Sequence, residues 1–187
     1  MQAGSPASPG SPMRSVRVVL AALCLAPLLC ASGDPGVVLD LDLERFELRA
    51  RDLRADREGP SLRVAIGSPA HPTPEGSFPV HVVVRNPRWT PGETARDRGA
   101  RQRPASSDGP LGIAKISFGP EGVALHGGAR QLLIGKPVSL GCVRALDADL
   151  EALLDWLDAA GALGPPRAAD GGEVHQSFQR RTRIVVH

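Results

Sequence analysis

Apolar and polar residues alternate in short runs along most of this 187-residue chain after residue 34. Val37-Val38-Leu39-Asp40-Leu41 and Phe46-Glu47-Leu48-Arg49 predict an opening hairpin. Leu62-Arg63-Val64-Ala65-Ile66 alternates as a half-buried strand should, and Phe78 to Val84 is one continuous β-prone run. Ile113 to Phe118 and Val123 to His126 predict two strands around the turn Gly119-Pro120-Glu121-Gly122, and Arg183-Ile184-Val185-Val186 a last one. A helical period stands out once. Leu150, Leu153, Leu154 and Leu157 fall at i, i+3, i+4 and i+7, a stripe suited to packing on a sheet, and Trp156 lies beside it. In this reading Asp147 caps the helix, Asp149 and Glu151 load its first turn, and Gly161 ends it. Gly67 to Gly76 is a loop, and Asn86 to Gly112 is a long polar connection with Arg96, Arg98, Arg101 and Arg103, of the length that lids and binding loops have. The sum is one mainly β domain with one or two helices over residues 34–187, without internal repeats.

The pattern before residue 34 is different. Arg14 and Arg17 precede an apolar run from Val18 to Cys30, and Ala31-Ser32-Gly33 supplies small residues for cleavage. Residues 1–33 therefore read as an export signal, with Met13 as an alternative start because a Pro/Ser/Gly-rich stretch precedes it. The apolar run is short for a membrane span. Lipid attachment at Cys30 is a lesser alternative, because Leu29 stands where a small residue is needed; a membrane tether follows only if this segment is retained or lipidated.

Export changes the charge argument. Of 22 basic and 20 acidic residues, two arginines and no acids lie in residues 1–33, so the remainder is balanced. A neutral domain has no electrostatic footprint for nucleic acid. Arg outnumbers Lys twenty to two, and Ala, Gly and Pro abound, a composition associated with high-GC bacteria. Cys24 and Cys30 leave with the signal. Cys142 is then the one cysteine of an exported protein, a candidate reactive thiol with no intramolecular disulfide open to it.

The surroundings of that thiol carry chemistry. Residues 126–144 read H-G-G-A-R-Q-L-L-I-G-K-P-V-S-L-G-C-V-R. Cys142 is the candidate nucleophile, and His126, sixteen positions upstream, its general base and acid. An imidazolium there would also favour the thiolate. Cys142 falls between a predicted strand and a predicted helix, at a turn that can aim backbone N–H groups at a reacting carbonyl. The N–H groups of Gly141 and Cys142 are the candidate oxyanion hole. Ser139 and Arg144 are candidate substrate-binding residues, Arg144 for a carboxylate. One cysteine and no histidine cluster give no metal site, and nothing calls for a cofactor.

The segments carry a resemblance. His126-Gly127-Gly128 with Ser139-Leu140-Gly141-Cys142-Val143-Arg144 resembles the H-G-x … S-x-G-C-x-R signature of the L,D-transpeptidase catalytic domain (YkuD-type). Thr73-Pro74-Glu75-Gly76-Ser77-Phe78 resembles that family's T-P-x-G-x-F segment, Pro87-Arg88-Trp89-Thr90-Pro91 its P-x-W-x-P segment, and Gly109-Pro110-Leu111-Gly112 its G-P-L-G segment, all in the family's order. Leu140 and Gly128 depart from it, standing where a polar residue and Thr are common. The resemblance implies an L,D-transpeptidase-type β-sandwich and a peptidoglycan enzyme of the bacterial periplasm or cell envelope. Its donor and acceptor would be stem peptides. Cys142 would attack the stem tetrapeptide at residue three, release D-Ala and form a thioester that an amine resolves. Gly127 would orient His126 through its backbone carbonyl, and carbapenems would acylate Cys142. Two rivals stand beside this reading: an L,D-carboxypeptidase or murein hydrolase with the same site, and a non-catalytic peptidoglycan-binding module.

Overall fold

The computed structural model describes residues 36–187 except 98 and 121, together with positions 1 and 4; apart from those two positions the expected export signal, with Cys24 and Cys30, lies outside the described residues. The predicted hairpin is present as β1 (Val37–Asp42) and β2 (Glu47–Asp52), paired antiparallel with Leu39 opposite Ala50. β3 (Arg57–Arg63) extends it, and β4 (Ile66–Gly67) follows as a two-residue strand.

The continuous run Phe78 to Val84 is not one strand. It divides into β5 (Gly76–Pro79) and β6 (Val82–Arg85), which belong to different sheets. Pro79 has no N–H to extend a ladder, so the chain leaves one sheet there and joins the other after His81. The long polar connection contains a short helix, α1 (Glu93–Asp97). Its neck is closed by Trp89 and Arg103, whose backbones exchange hydrogen bonds of 3.1 and 2.9 Å. Then come β7 (Ala114–Ser117), β8 (Ala124–His126), β9 (Pro137–Ser139) and β10 (Val143–Arg144). The helix α2 (Asp147–Ala159) is followed by β11 (Arg167–Ala168), β12 (Val174–Ser177) and β13 (Thr182–Val186).

Two sheets make a sandwich. One runs β3-β2-β1-β13-β5, the other β10-β8-β7-β6-β12-β11, and β4 pairs with β9 in a small third sheet. Register explains the core. Val143, Leu125, Ile116, Val83 and Gln176 form one rung of the six-stranded sheet, and all five are buried. Leu39, Leu41, Leu48, Ala50 and Ile184 supply the apolar face of the other sheet. All four leucines of the helical stripe are fully buried, each contributing about 1.5–3 kcal/mol of apolar burial. Trp156 packs beside them against β3, where a side chain at Gly59 would overlap the indole.

Candidate active site

β8 ends at His126, and the next residues turn back on themselves. His126 lies on the rung after the buried one, beside Arg144 of β10 and opposite Lys115 of β7. The residue is 3% exposed. Nδ1 is 2.7 Å from the Gly127 carbonyl oxygen, which can only accept, so Nδ1 carries the proton. Burial pushes this imidazole down to about 4; Arg144 and Lys115 add to the lowering, while the Gly127 carbonyl and Asp147 oppose it. At neutral pH the ring is uncharged, with a lone pair on Nε2.

The turn after His126 is held by a carboxylate. Asp147 Oδ1 accepts from the N–H of Gly128 at 2.9 Å and of Ile113 at 3.1 Å. This differs from the expected helix cap: Leu146 is the N-cap residue, and the Asp147 side chain serves the two loops instead. Glycine is required around it. A Cβ at Gly127 would come within 2.0 Å of Asp147 Oδ1, and one at Gly112 (φ +62°) within 2.2 Å. The last glycine of G-P-L-G and the first of H-G-G thus pack around one carboxylate.

Cys142 stands two residues before Arg144, immediately ahead of β10, and is half-buried. Burial pushes its thiol up, while the Ala124 N–H and the charges of Arg144 and Lys115 pull the other way. Sγ donates to the Gly122 carbonyl at 3.4 Å. Since a short strand intervenes, Cys142 is not at the helix N-terminus as its place in the sequence suggests. The loop before it is pinned twice. Thr73 Oγ1 donates to the Gly141 carbonyl at 3.0 Å and accepts from the Gly67 N–H at 2.8 Å. Ser139 Oγ donates to the Cys142 carbonyl and accepts from the Gly141 N–H at 3.1 Å.

These bonds engage two of the expected site residues. Ser139 is 1% exposed and both of its hydroxyl bonds are internal, so in this arrangement it shapes the turn. The Gly141 N–H is occupied by that hydroxyl, so the expected oxyanion donor is not open in this arrangement. The Cys142 N–H has no partner among the described residues. Gly141 itself has φ +106°, where only glycine is relaxed. Arg144 is fixed at the backbone by reciprocal 2.8 Å bonds with Ala65, yet its buried Nε has no hydrogen-bond partner.

The structure has His126 and Arg144 paired at one sheet edge, with Gly127 and Cys142 adjoining them in the chain. Sequence reasoning missed Thr73, Asp147 and Lys115 as site residues. Thr73 already stood in the T-P-x-G-x-F segment. No group of three potential metal ligands occurs among the described residues.

Comparison with known proteins agrees with this architecture. The model of the YkuD family, described as the L,D-transpeptidase catalytic domain, matches residues 36–186. The chain is 36% identical over 117 residues to "Putative L,D-transpeptidase YqjB" of Bacillus subtilis, a match that spans 60% of each protein. Among solved structures it is similar to L,D-transpeptidase 3 from Mycobacterium tuberculosis in complex with a faropenem-derived adduct, with a TM-score of 0.53, 18% identity, and 81% of this chain and 60% of that one covered. It is also similar to an L,D-transpeptidase from Stackebrandtia nassauensis, with a TM-score of 0.51, 16% identity and coverage of 88% and 61%. At those identities the structural likeness concerns the fold. The chain spans about 60% of the length of these relatives.

Proposed function

The chain belongs to the YkuD family of L,D-transpeptidase catalytic domains, and on that premise we propose that it is a cysteine-dependent acyl-transfer enzyme acting on peptidoglycan stem peptides. The observation that carries the reading is the edge of the six-stranded sheet. There a neutral His126, its tautomer fixed by Gly127, pairs with Arg144, and the thiol residue Cys142 stands two residues before Arg144. As the thiol leaves the Gly122 carbonyl and attacks the donor carbonyl, its proton passes to His126 Nε2 and a C–S bond forms. The Cys142 N–H supports the developing oxyanion; Gly141 joins it only if the Ser139 hydroxyl releases its N–H. Collapse breaks the C–N bond, and His126 protonates the leaving D-Ala amine. The acceptor amine then gives its proton to His126, attacks the thioester and frees the thiol. Splitting one amide exchange into two steps is what a thiol nucleophile supplies.

In the same reading residues 1–33 are an export signal and 34–187 the catalytic domain, working in the cell envelope. Among the described residues no helix is long and apolar enough to cross a membrane.

Intact-protein mass spectrometry after incubation with a carbapenem tests the proposal, with Cys142→Ala as control. The expected outcome is one covalent adduct on the wild type and none on the variant, with acylation slowed by several orders of magnitude in His126→Ala. No adduct on folded wild-type protein would favour a peptidoglycan-binding module instead. If acylation succeeds, product analysis with and without an acceptor amine separates transfer from hydrolysis.

A further inference from the structure

Register places a cation on each side of the imidazole. Arg144 neighbours His126 across the parallel β10–β8 pair, and Lys115 faces it across the antiparallel β7–β8 pair. Residues of one rung share a face of the sheet, and the charges of Arg144 and Lys115 also bear on the thiol of Cys142, two residues before Arg144. Some cations of this chain meet carboxylates: Arg49 with Glu47, Arg51 with Asp56, Arg85 with Glu151, Arg180 with Asp52. Lys115 and Arg144 do not. Among the described residues neither side chain makes an ion pair or a hydrogen bond, and the Arg144 Nε is buried without an acceptor. Two cations without an ion-pair partner beside a buried base, with Asp147 the one carboxylate acting on it, favour the binding of an anion there.

The reaction supplies one. The nitrogen expelled from the donor must meet His126 to be protonated. If the leaving group is a single residue, its carboxylate carbon is two bonds from that nitrogen, about 2.5 Å away. It therefore falls beside whatever flanks His126. We propose that Lys115, with Arg144, binds the free carboxylate of the leaving residue, and that Lys115 is a specificity residue for donors ending one residue beyond the scissile bond. A longer or amidated donor puts a neutral amide in that place and leaves both cations without a partner. By reversal, an incoming amine carrying an α-carboxylate is held by the same pair. This inference rests on the acyl-transfer reading above.

The test uses a synthetic stem tetrapeptide ending in free D-Ala and the same peptide with a C-terminal amide. Thioester formation is followed on the wild type, Lys115→Met and Lys115→Arg, and binding of both peptides is titrated on Cys142→Ala with and without Lys115→Met. The expected wild-type preference for the free acid is roughly tenfold or more, as befits a charge-assisted hydrogen bond. Lys115→Met should pull the acid-to-amide ratio toward one, chiefly through KM, and Lys115→Arg should restore it. A wild type that forms thioester, with a ratio unchanged in Lys115→Met, would overturn the inference and leave the acyl-transfer reading standing. If no thioester forms on folded protein, that reading fails by itself. The titrations then decide: a binding preference for the acid that Lys115→Met abolishes supports the carboxylate site, and equal affinity for acid and amide overturns it.

Discussion

Burial sets the working state of His126. With the residue 3% exposed and its imidazole pushed down to about 4, it is a neutral base at pH 7, and the Cys142 thiol is pushed up by its own burial. Both shifts run against a stored thiolate–imidazolium pair, which the bare spacing of Cys and His suggests. Spacing names the partners but carries no information about dielectric. The proton therefore moves with the attack, and iodoacetamide should alkylate Cys142 along one titration at or above the ordinary thiol range, with no reactive plateau at acid pH. The same burial has a thermodynamic sign. The unfolded histidine takes a proton near its ordinary 6.5, the folded one only near 4, so in that window the unfolded state binds more protons. Stability should fall as pH drops from about 6.5 to about 4, by up to about 3 kcal/mol. Urea midpoints of wild type and His126→Gln at pH 7 and 4.5 measure it. The variant should lack that part of the slope, and equal slopes would contradict a buried neutral ring.

At the scale of elements, sequence legibility followed length and period. The helix over Asp147–Ala159 was readable because four leucines repeat over two turns, and β1 because six residues alternate. Phe78 to Val84 read as a β-prone run without its break, because propensity does not change where the chain crosses between sheets. β9 and β10, of three and two residues, are too short to show a period at all, yet they carry the nucleophile loop. Asp147 shows the limit best. An acid before an apolar stripe reads as a cap, and only the fold reveals that its carboxylate joins residues 34 and 19 positions away. Asp147→Ala strips the acceptor from two loop N–H groups, and a loss of about 1–3 kcal/mol is expected, together with slower carbapenem acylation as the Gly127 carbonyl loses its support. Asp147→Asn keeps an oxygen in place and should recover most of both. If Asn behaves like Ala, the charge and not the hydrogen bond holds the turn.

Over the whole molecule, one buried ion pair joins elements that are far apart in the chain. Arg180 meets both oxygens of Asp52 at 2.8 Å, across 128 positions, and also donates to the Ala160 carbonyl where α2 ends. Asp52 further accepts from the N–H groups of Arg54 and Ala55. Such a pairing cannot be read from a single sequence, because neither residue lies in a pattern that names its partner. The guanidinium holds the Asp52 carboxyl well below the usual carboxylate range. A depressed carboxylate contributes stability that is fully present above its unfolded value, near 3.9, and is lost as pH falls below it. Removing one partner leaves the other charge buried, so Arg180→Met should cost about 3–5 kcal/mol at pH 7. The double variant Asp52→Asn, Arg180→Met removes both charges and should recover much of that. Thermal midpoints at pH 7 and pH 3 distinguish an ion pair from mere packing. If the pair is what matters, the gap between wild type and Arg180→Met narrows at pH 3, where the wild type also begins to lose it. A gap equal at both pH values would assign the role of Arg180 to its aliphatic stem and its bond to Ala160. The two buried groups act in adjoining windows, His126 between about 6.5 and 4 and Asp52 below about 4. Acid unfolding of the wild type should therefore steepen in two stages, and each single variant should erase its own stage alone.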